Sequence, residues 1–264
     1  MAKAPTTPTY PDLSGRAALV TGASSGIGFG IARALLDQGM RVGVHYRGGR
    51  GPADALCSGY PGRAFALGAD LGTEAGCVQL AKEAVDKLGG CEVLVHSAGI
   101  WNAGPIRTMT AAVLEEMFRV NTFSAFYLIR ELVPALRAHE AGSIVLIGST
   151  AGQRGEAGHS HYAASKGALQ SMVLSLAVEL SPAIRTNLVS PGWIRTPMAE
   201  ATLQRIESIV APTLPNKRIG EIADVVNAVL YLASGASGHL LGQDIGVSGG
   251  ALLVVPRGQL KTVV

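Results

Sequence analysis

The sequence has few of the features that mark secreted, metal-stabilised or membrane-spanning chains. It contains three cysteines, and this odd number, without a Cys-x-x-Cys pair, argues against a disulfide framework and against a structural zinc site. No apolar stretch reaches the roughly 18 uninterrupted residues that a transmembrane helix needs. Residues 1–14 lack the apolar core of a signal peptide. We therefore expect a cytoplasmic protein with reduced thiols that does not interact with membranes.

Charge is also scarce, at 16% of residues, whereas hydrophobic residues make up 48%. The net charge of +3 comes from scattered side chains, with no dense run of lysine and arginine. Nucleic-acid binding is disfavoured because it needs a clustered basic face. A chain of 264 residues can fold as one large α/β domain. We expect a flexible leader over residues 1–12 and a single catalytic domain over residues 13–264.

A glycine-rich segment follows an apolar run near the start of the chain. Residues 16–20 read Arg-Ala-Ala-Leu-Val, and residues 21–28 read Thr-Gly-Ala-Ser-Ser-Gly-Ile-Gly. Ile31, Leu35 and Leu36 then follow at helical spacing. Strand, turn and helix in this order place backbone N–H groups where they can bind a pyrophosphate. The pattern Gly-x-x-x-Gly-x-Gly differs from the common dinucleotide fingerprint, but a dinucleotide is the ligand that it indicates.

Strand and helix signals alternate along the rest of the chain. The further predicted strands are residues 41–46, 63–67, 92–96, 143–147, 183–189 and 244–247. Because crossovers between parallel strands are right-handed, this alternation predicts a Rossmann-type α/β fold. We expect a doubly wound sheet of about seven mostly parallel strands with helices on both faces. Residues 193–216 contain three prolines around a helical middle, and we expect this segment to be a lid over the substrate.

Tyr162 and Lys166 carry the clearest chemical signal. Residues four apart on a helix share one face, so the ammonium of Lys166 can stand near the phenol of Tyr162. A nearby cation favours the phenolate and lowers the phenol pKa toward working pH. Together with Ser149, at the end of an apolar run, this pair can protonate a carbonyl during its reduction. The alternative is that Tyr-x-x-x-Lys occurs by chance on a helix with a surface lysine.

These motifs together resemble the short-chain dehydrogenase/reductase family, in its compact form of a single domain. Residues 21–28 look like its cofactor turn and Asp70-Leu71 like its adenine contact. Pro191-Gly192 with Thr196 looks like the segment that follows its sixth strand and touches the nicotinamide. Residues 242–250 look like its last strand and the turn that leaves it. The resemblance implies a catalytic tetrad of Asn121, Ser149, Tyr162 and Lys166. Two departures stand out: the family's Asn-Asn-Ala-Gly appears as residues 96–99, His-Ser-Ala-Gly, and its Val-Asp-Gly-Gly as residues 247–250, Val-Ser-Gly-Gly.

The resemblance also implies a role for each member of the tetrad. Ser149 would hold the substrate carbonyl, Tyr162 would donate the proton, and Lys166 would lower the phenol pKa and bind the nicotinamide ribose. Asn121 would hold a water that relays protons to Lys166. Alternatively, Asn121 kinks its helix and Ser149 caps a strand end. The implied cofactor-binding residues are Gly22, Ser24, Ser25, Gly26, Ile27, Gly28, Tyr46, Arg47, Asp70, Leu71, Ser97, Ala98, Gly99, Tyr162, Lys166, Pro191, Gly192, Ile194 and Thr196.

The end of the second predicted strand bears on the choice of cofactor. An acidic residue at that position would bind the free ribose hydroxyls of NAD and repel a 2′-phosphate. This chain has Tyr46 there, followed by Arg47, with Arg50 nearby. A guanidinium can bind a phosphate in bidentate fashion, so the sequence favours NADP over NAD. The alternative is that Arg47 is a solvated loop residue.

The candidate substrate-binding residues flank the tetrad in sequence. They are Trp101, Gln153, His159, Trp193 and Met198. His159 and His161 form a His-x-His pair, but no further ligand cluster accompanies them, and we expect no metal site. The two tryptophans favour a hydrophobic or aromatic ketone. Resemblance to oxoacyl carrier-protein reductases and polyketide ketoreductases implies a β-keto or aromatic polyketide-type substrate.

The sequence therefore predicts an NADPH-dependent reductase that converts a ketone into a secondary alcohol. An NAD-dependent secondary alcohol dehydrogenase and a non-catalytic dinucleotide-sensing protein on the same fold remain alternatives. The family resemblance implies a homodimer or homotetramer, assembled through the helical patterns at residues 114–136 and 162–180.

Overall fold

A seven-stranded parallel sheet organises the chain in the computed structural model, which describes residues 7–139 and 141–253. The strands are β1 (Ala17–Thr21), β2 (Arg41–Tyr46), β3 (Ala64–Gly68), β4 (Val93–His96), β5 (Gly142–Ile147), β6 (Ile184–Pro191) and β7 (Asp244–Val247). Their order is β3-β2-β1-β4-β5-β6-β7, and every neighbouring pair is parallel. The predicted Rossmann-type fold is confirmed.

Helices connect the strands and cover both faces of the sheet. They are α1 (Gly26–Asp37), α2 (Arg50–Ser58), α3 (Glu74–Leu88), α4 (Ala111–Phe118), α5 (Ser124–Arg137), α6 (Thr150–Arg154), α7 (Ser160–Glu179), α8 (Glu200–Val210) and α9 (Ile222–Ala233). A π-helical segment, Arg119–Phe123, joins α4 to α5. Short 3-10 helices occupy Pro11–Leu13, Ala211–Thr213 and Gly235–Ser237.

Two hydrophobic cores lie on opposite faces of the sheet. One contains residues of α1 and α9, and the other contains residues of α3, α5 and α7. Strand β1 contributes to both, because Ala18 and Val20 face one core while Ala17 and Leu19 face the other. Successive side chains of a strand alternate between faces, so a strand covered on both sides is apolar throughout. This explains why the central strands were predictable as continuous apolar runs.

The strand order reverses at β1, whose neighbours are β2 and β4. The connections on the two sides of this point run in opposite directions, which leaves a crevice at the carboxyl ends of the strands. Ligands of doubly wound folds bind in such a crevice. The glycine-rich turn between β1 and α1 lies at this point, and the sheet therefore places it beside the ends of β2 and β4.

The first described residues are held against the domain. The backbone N–H of Tyr10 donates to Gln38 Oε1 (2.7 Å), and Gln38 Nε2 donates to the Pro8 carbonyl (3.1 Å). The Asp12 carboxylate accepts from the Gly235 N–H (2.8 Å). Of the predicted leader, residues 1–6 lie outside the described residues, as do residues 254–264 of the predicted domain. The described contacts with the sheet-forming part of the chain begin at Pro8, and the bounds of the leader and of the domain stay predictions.

The predicted lid segment consists of α8 and the short helix that follows it. Leu203 is buried in a small cluster with Leu214 and Ile219. Ile209, by contrast, is 67% exposed. A bidentate ion pair from Arg195 to Glu207 ties the start of the segment to α8, at 2.7 and 3.0 Å. Closure of this segment over a substrate stays a prediction. Within the described part of the chain, no helix has both the length and the apolar character to cross a bilayer.

Candidate active site

A cleft of about 470 Å³ opens at the carboxyl ends of the strands. Its walls come from segments that are far apart in sequence. They are the β1–α1 turn, the ends of β2 and β3, residues 97–101 after β4, residues 147–151 at the end of β5, the start of α7, and residues 191–199 after β6. The sheet topology therefore brings together the separate motifs that the sequence singles out.

The glycine-rich turn lines one end of the cleft. Helix α1 begins at Gly26, and its N-cap residue Ser25 makes no side-chain capping bond, so the first N–H groups of the helix are available to a ligand. Glycine is required at position 28, because a Cβ there would lie 2.3 Å from the carbonyl oxygen of Gly22. Glycines beside a helix N-terminus let a pyrophosphate come close to the backbone N–H groups without meeting side chains. The residues present therefore fit a dinucleotide cofactor.

His45, on β2, supports this turn, and its role was not predicted from the sequence. Its Nδ1 accepts a hydrogen bond from the Gly22 N–H (3.0 Å), and its Nε2–H donates to the Ala69 carbonyl (3.1 Å). Burial lowers the pKa of the imidazole to about 4. The ring is therefore neutral at physiological pH, and this neutral form is the one that can accept the bond from Gly22.

His96 supports the turn from β4, at the position where the resembling family has its first asparagine. The Ser124 hydroxyl donates to the Val120 carbonyl (2.6 Å), so it accepts from His96 Nε2–H (3.1 Å). His96 Nδ1 then accepts from the Thr21 hydroxyl (3.0 Å). Burial, with a smaller contribution from the charge of Lys166, lowers the pKa of His96 to about 3. These bonds tie β1 to β4 and α5.

Tyr162 and Lys166 both line the cleft, and burial shifts the pKa of both side chains. Burial raises the pKa of Tyr162 to about 12, and a hydrogen bond with Ser149 acts in the opposite direction. The ammonium of Lys166 donates to the Ile147 carbonyl (2.8 Å), and burial lowers its pKa to about 8. Burial is the largest cause of the shift in the phenol pKa and Lys166 is not among its causes, so the expectation that Lys166 lowers the phenol pKa stays a prediction. A phenol that keeps its proton at neutral pH is suited to act as an acid.

Asn121 lies behind the cleft in the π-helical segment and is fully buried. Its Oδ1 accepts from the Ile100 N–H (2.8 Å), and its Nδ2 donates to the Ile100 carbonyl (3.0 Å). A Cβ on Gly99 would lie 3.3 Å from Asn121 Oδ1 and 3.4 Å from Lys166 Nζ. The bonds to Ile100 agree with a helix-kink residue, and the proximity to Lys166 is compatible with the water-relay role, which stays a prediction.

Most of the predicted cofactor residues meet in the cleft, and Tyr46 is the exception. Its ring packs over Gly68, where a Cβ would lie 2.9 Å from the Tyr46 hydroxyl. The neighbours His45 and Arg47 both line the cleft. Because side chains alternate along a strand, the residue between them faces away. Arg50 is engaged by Asp54 (2.9 Å), whereas Arg47 makes no ion pair or hydrogen bond with the residues that the structure describes.

The predicted substrate residues divide into two groups. Trp101, Trp193 and Met198 line the cleft, whereas Gln153 and His159 do not. The Gln153 side chain donates instead to the Asp244 carboxylate at the start of β7 (2.6 Å), and a role for it in substrate binding stays a prediction. His159 lies behind Trp101, stacked on its ring.

Two charged residues in the cleft were missed, Arg154 and Glu156. Both lie between Ser149 and Tyr162 in sequence, which is the signal that could have identified them. Ser149 lines the cleft, and its hydroxyl also caps α6 by accepting from the Ala151 N–H (3.1 Å). Over residues 7–139 and 141–253, no group of three or more His, Cys, Asp or Glu side chains is arranged to hold a metal ion.

Comparison with known proteins gives a match over nearly the whole chain. Residues 22–251 match the family model described as enoyl-(acyl carrier protein) reductase. The chain is 32% identical, over 239 residues, to the 3-oxoacyl-[acyl-carrier-protein] reductase FabG of Staphylococcus epidermidis. The alignment covers 89% of this chain and 98% of that relative.

Two solved structures show the same architecture. A short-chain dehydrogenase/reductase from Brucella melitensis superposes with a TM-score of 0.88 at 32% identity, covering 92% of this chain and 98% of the other. A blue fluorescent protein from a metagenomic library, solved in complex with NADPH, gives a TM-score of 0.86 at 34% identity, covering 90% and 98%. The likeness therefore extends over both the fold and the sequence.

Proposed function

The chain belongs to the short-chain dehydrogenase/reductase family of NAD(P)-dependent oxidoreductases, and from this premise we propose that it is an NADPH-dependent ketone reductase. In this reaction a hydride is transferred to the carbonyl carbon and Tyr162 protonates the resulting alkoxide, which gives a secondary alcohol. The substrate is a hydrophobic, β-keto or aromatic polyketide-type ketone.

One observation carries the proposal. Tyr162, Lys166 and Ser149 share a single cleft with the glycine-rich turn, although these elements are separated by more than a hundred residues. Carbonyl reduction requires a proton donor and a dinucleotide site that share one cleft, so that hydride and proton can reach the same carbonyl group. The hydrogen bond between Ser149 and Tyr162, which acts to lower the phenol pKa, supports the pairing of these two side chains at the substrate carbonyl.

Each residue has a definable task in this scheme. Bound NADPH would supply the hydride. Ser149 donates a hydrogen bond to the substrate carbonyl and holds it beside the phenol of Tyr162. Tyr162 donates its proton to the oxygen as negative charge develops there. Lys166, cationic below its pKa of about 8, binds the nicotinamide ribose and stabilises negative charge left on the phenol.

The preference for NADPH rests on the end of β2. No carboxylate follows this strand directly, and the exposed guanidinium of Arg47 lines the cleft without an internal partner among the described residues. A free guanidinium is the group that recognises a 2′-phosphate. The FabG relative is named as a reductase and one structural neighbour holds NADPH, which supports the same cofactor and the same direction of reaction.

The test is a screen of ketones and secondary alcohols with both dinucleotides, followed by Tyr162→Phe. We expect NADPH-dependent ketone reduction in the native protein and a fall in kcat of at least about a hundredfold in the variant. NADPH affinity should change little, because the phenylalanine keeps the ring. Undiminished reduction by Tyr162→Phe would refute the acid role. Tighter binding of NADH than of NADPH would refute the assignment to Arg47.

We also propose that the protein assembles as a homodimer or homotetramer. Phe123, at the end of the π-helical segment, is 43% exposed, and Phe126 on α5 is 51% exposed. On α7, Leu174 and Val178 are 60% and 82% exposed. Apolar side chains at this exposure favour a partner surface. Light scattering after size-exclusion chromatography would measure the assembly, and a monomer at micromolar concentration would contradict it. The cytoplasmic location stays a prediction.

A further inference from the structure

We propose that Trp101 and Trp193 form a ring-binding subsite in the cleft, and that His159 and His161 are positioning residues that hold this subsite in place relative to Tyr162. The inference rests on the proposed function and deepens it, because it narrows the substrate class to flat cyclic ketones, above all aromatic ones. It also gives the His-x-His pair of the sequence a role that involves no metal.

The two indole rings form a corner in the wall of the cleft. Their centroids are 6.0 Å apart and their planes meet at 89°, which is the edge-to-face geometry that aromatic rings prefer. Both side chains line the same cleft as Tyr162. A flat ring that enters the corner can stack on one indole and meet the other edge-on, whereas a flexible aliphatic chain gains less from this geometry.

His159 supports the corner from behind. Its imidazole stacks on Trp101, with centroids 4.9 Å apart and an interplanar angle of only 7°. The imidazole is held in turn by its Nδ1, which lies 3.2 Å from the Ala157 carbonyl and 3.6 Å from the Glu156 carboxylate. Trp101 therefore has one face covered by a fixed ring, which restricts its rotation.

His161 fixes the backbone next to Trp101. Its side chain is 2% exposed, and its Nε2–H donates to Asn102 Oδ1 (2.9 Å). The loop packs tightly on the ring, because a Cβ on Gly104 would lie 2.6 Å from His161 Cε1. The Gly104 N–H also donates to the Gly158 carbonyl (2.9 Å). Residues 101–104 are thus attached at several points to the segment that precedes Tyr162.

The sequence spacing links the corner to the chemistry. His159 is the N-cap residue of α7, and Tyr162 lies in the first turn of the same helix. Side chains at positions 159 and 161 contact consecutive residues of the loop, Trp101 and Asn102. One helical turn therefore fixes both the corner and the phenol. A ring seated in the corner would present its carbonyl to Tyr162 at a defined distance.

The experiment compares two ketones, α-tetralone as a bicyclic aromatic ketone and ethyl acetoacetate as an aliphatic β-keto ester. His161→Leu removes the N–H donor, His161→Gln restores a donor at a similar position, and exposed His239→Ala is the control. We expect His161→Leu to lower the ratio of kcat/KM for α-tetralone over ethyl acetoacetate about tenfold, mainly through KM. His161→Gln should recover most of the ratio, and His239→Ala should leave it unchanged. His159→Phe, which keeps a stacked ring, should exceed His159→Ala in the same ratio.

Binding can be measured without turnover, because the chain has two tryptophans and both line the cleft. With NADP⁺ present, α-tetralone should quench the emission saturably, and His161→Leu should weaken its affinity about tenfold. Saturable quenching with this loss but without reduction would refute the proposed reaction and support the subsite. Reduction with an unchanged ratio in His161→Leu, or a parallel loss on both ketones, would overturn the subsite. So would a native protein that neither binds nor reduces α-tetralone.

Discussion

Lowering the pH from 8 to 5 should destabilise the protein through the two histidines that hold the glycine-rich turn. His45 and His96 are both buried, and their hydrogen bonds require neutral rings. Their folded-state pKa values are about 4 and about 3, whereas an unfolded histidine titrates near ~6.5. Below pH ~6.5 the unfolded state therefore binds protons that the folded state excludes. This stability is fully present above that pH and is lost as the pH falls toward 3 to 4.

The magnitude follows from these values. At pH 5 each unfolded histidine is almost fully protonated and each folded one is almost fully neutral, so linkage gives a loss of about 2 kcal/mol per histidine. The two together lower the free energy of unfolding by about 4 kcal/mol, which is a large share of the stability of a typical domain. Carboxylates also titrate in this range, so a comparison between variants is needed to isolate the histidines.

The assay is urea denaturation at pH 8 and at pH 5. His45→Asn and His96→Asn replace the titrating ring with an amide that can still accept a hydrogen bond, and exposed His239→Asn is the matched control. Each of the first two variants should lose about 2 kcal/mol less than the native protein between the two pH values, whatever its stability at pH 8. If both keep the full native dependence on pH, the buried histidines are not its source and the reasoning fails.

Three further changes probe the turn, the cofactor loop and the core. Gly28→Ala places a Cβ 2.3 Å from the Gly22 carbonyl oxygen and should weaken NADPH binding more than tenfold, as measured by fluorescence titration. Gly51→Ala, with open space around its Cβ, should leave the affinity unchanged. Equal NADPH affinities of the two variants would contradict the close approach at Gly28. Arg47→Glu should lower the preference for NADPH over NADH at least about tenfold in steady-state kinetics, and an unchanged preference would mark Arg47 as solvated. Arg185→Met should lower the free energy of unfolding by about 2–3 kcal/mol, because the buried guanidinium of Arg185 donates to the Leu232, Ser234 and Ser237 carbonyls. A smaller loss in urea denaturation would show that water replaces the guanidinium as the donor to these carbonyls.

The strands and the glycine turn were predictable because their signals are local. Strands covered on both faces are apolar throughout, and the predicted range of β2 coincides with the observed one. Tyr162 and Lys166 were predictable because helical spacing alone places them together. That Tyr46 faces away from the cleft also follows from the alternation of side chains along a strand, because its neighbours His45 and Arg47 line the cleft.

Other features depend on contacts between distant segments and had no local signal. Gln153 turns toward Asp244, which is 91 residues away in sequence. The phenol pKa depends on how much water the folded cleft excludes from Tyr162, and a sequence does not carry that quantity. The use of His96 as a tie between β1 and α5 requires knowing that Thr21 and Ser124 lie on either side of it.

The loop after β2 has room for larger side chains, whereas the glycine-rich turn after β1 does not. A Cβ at Gly48 or Gly49, or at Gly51 in the first turn of α2, would meet nothing within 4 Å, although neighbouring Arg47 lines the cleft. Substitutions at these positions can therefore be made without disturbing the packed interior. If Arg47 selects the coenzyme as proposed, anchoring and selection lie on separate stretches of chain, and the second can be exchanged while the first stays intact.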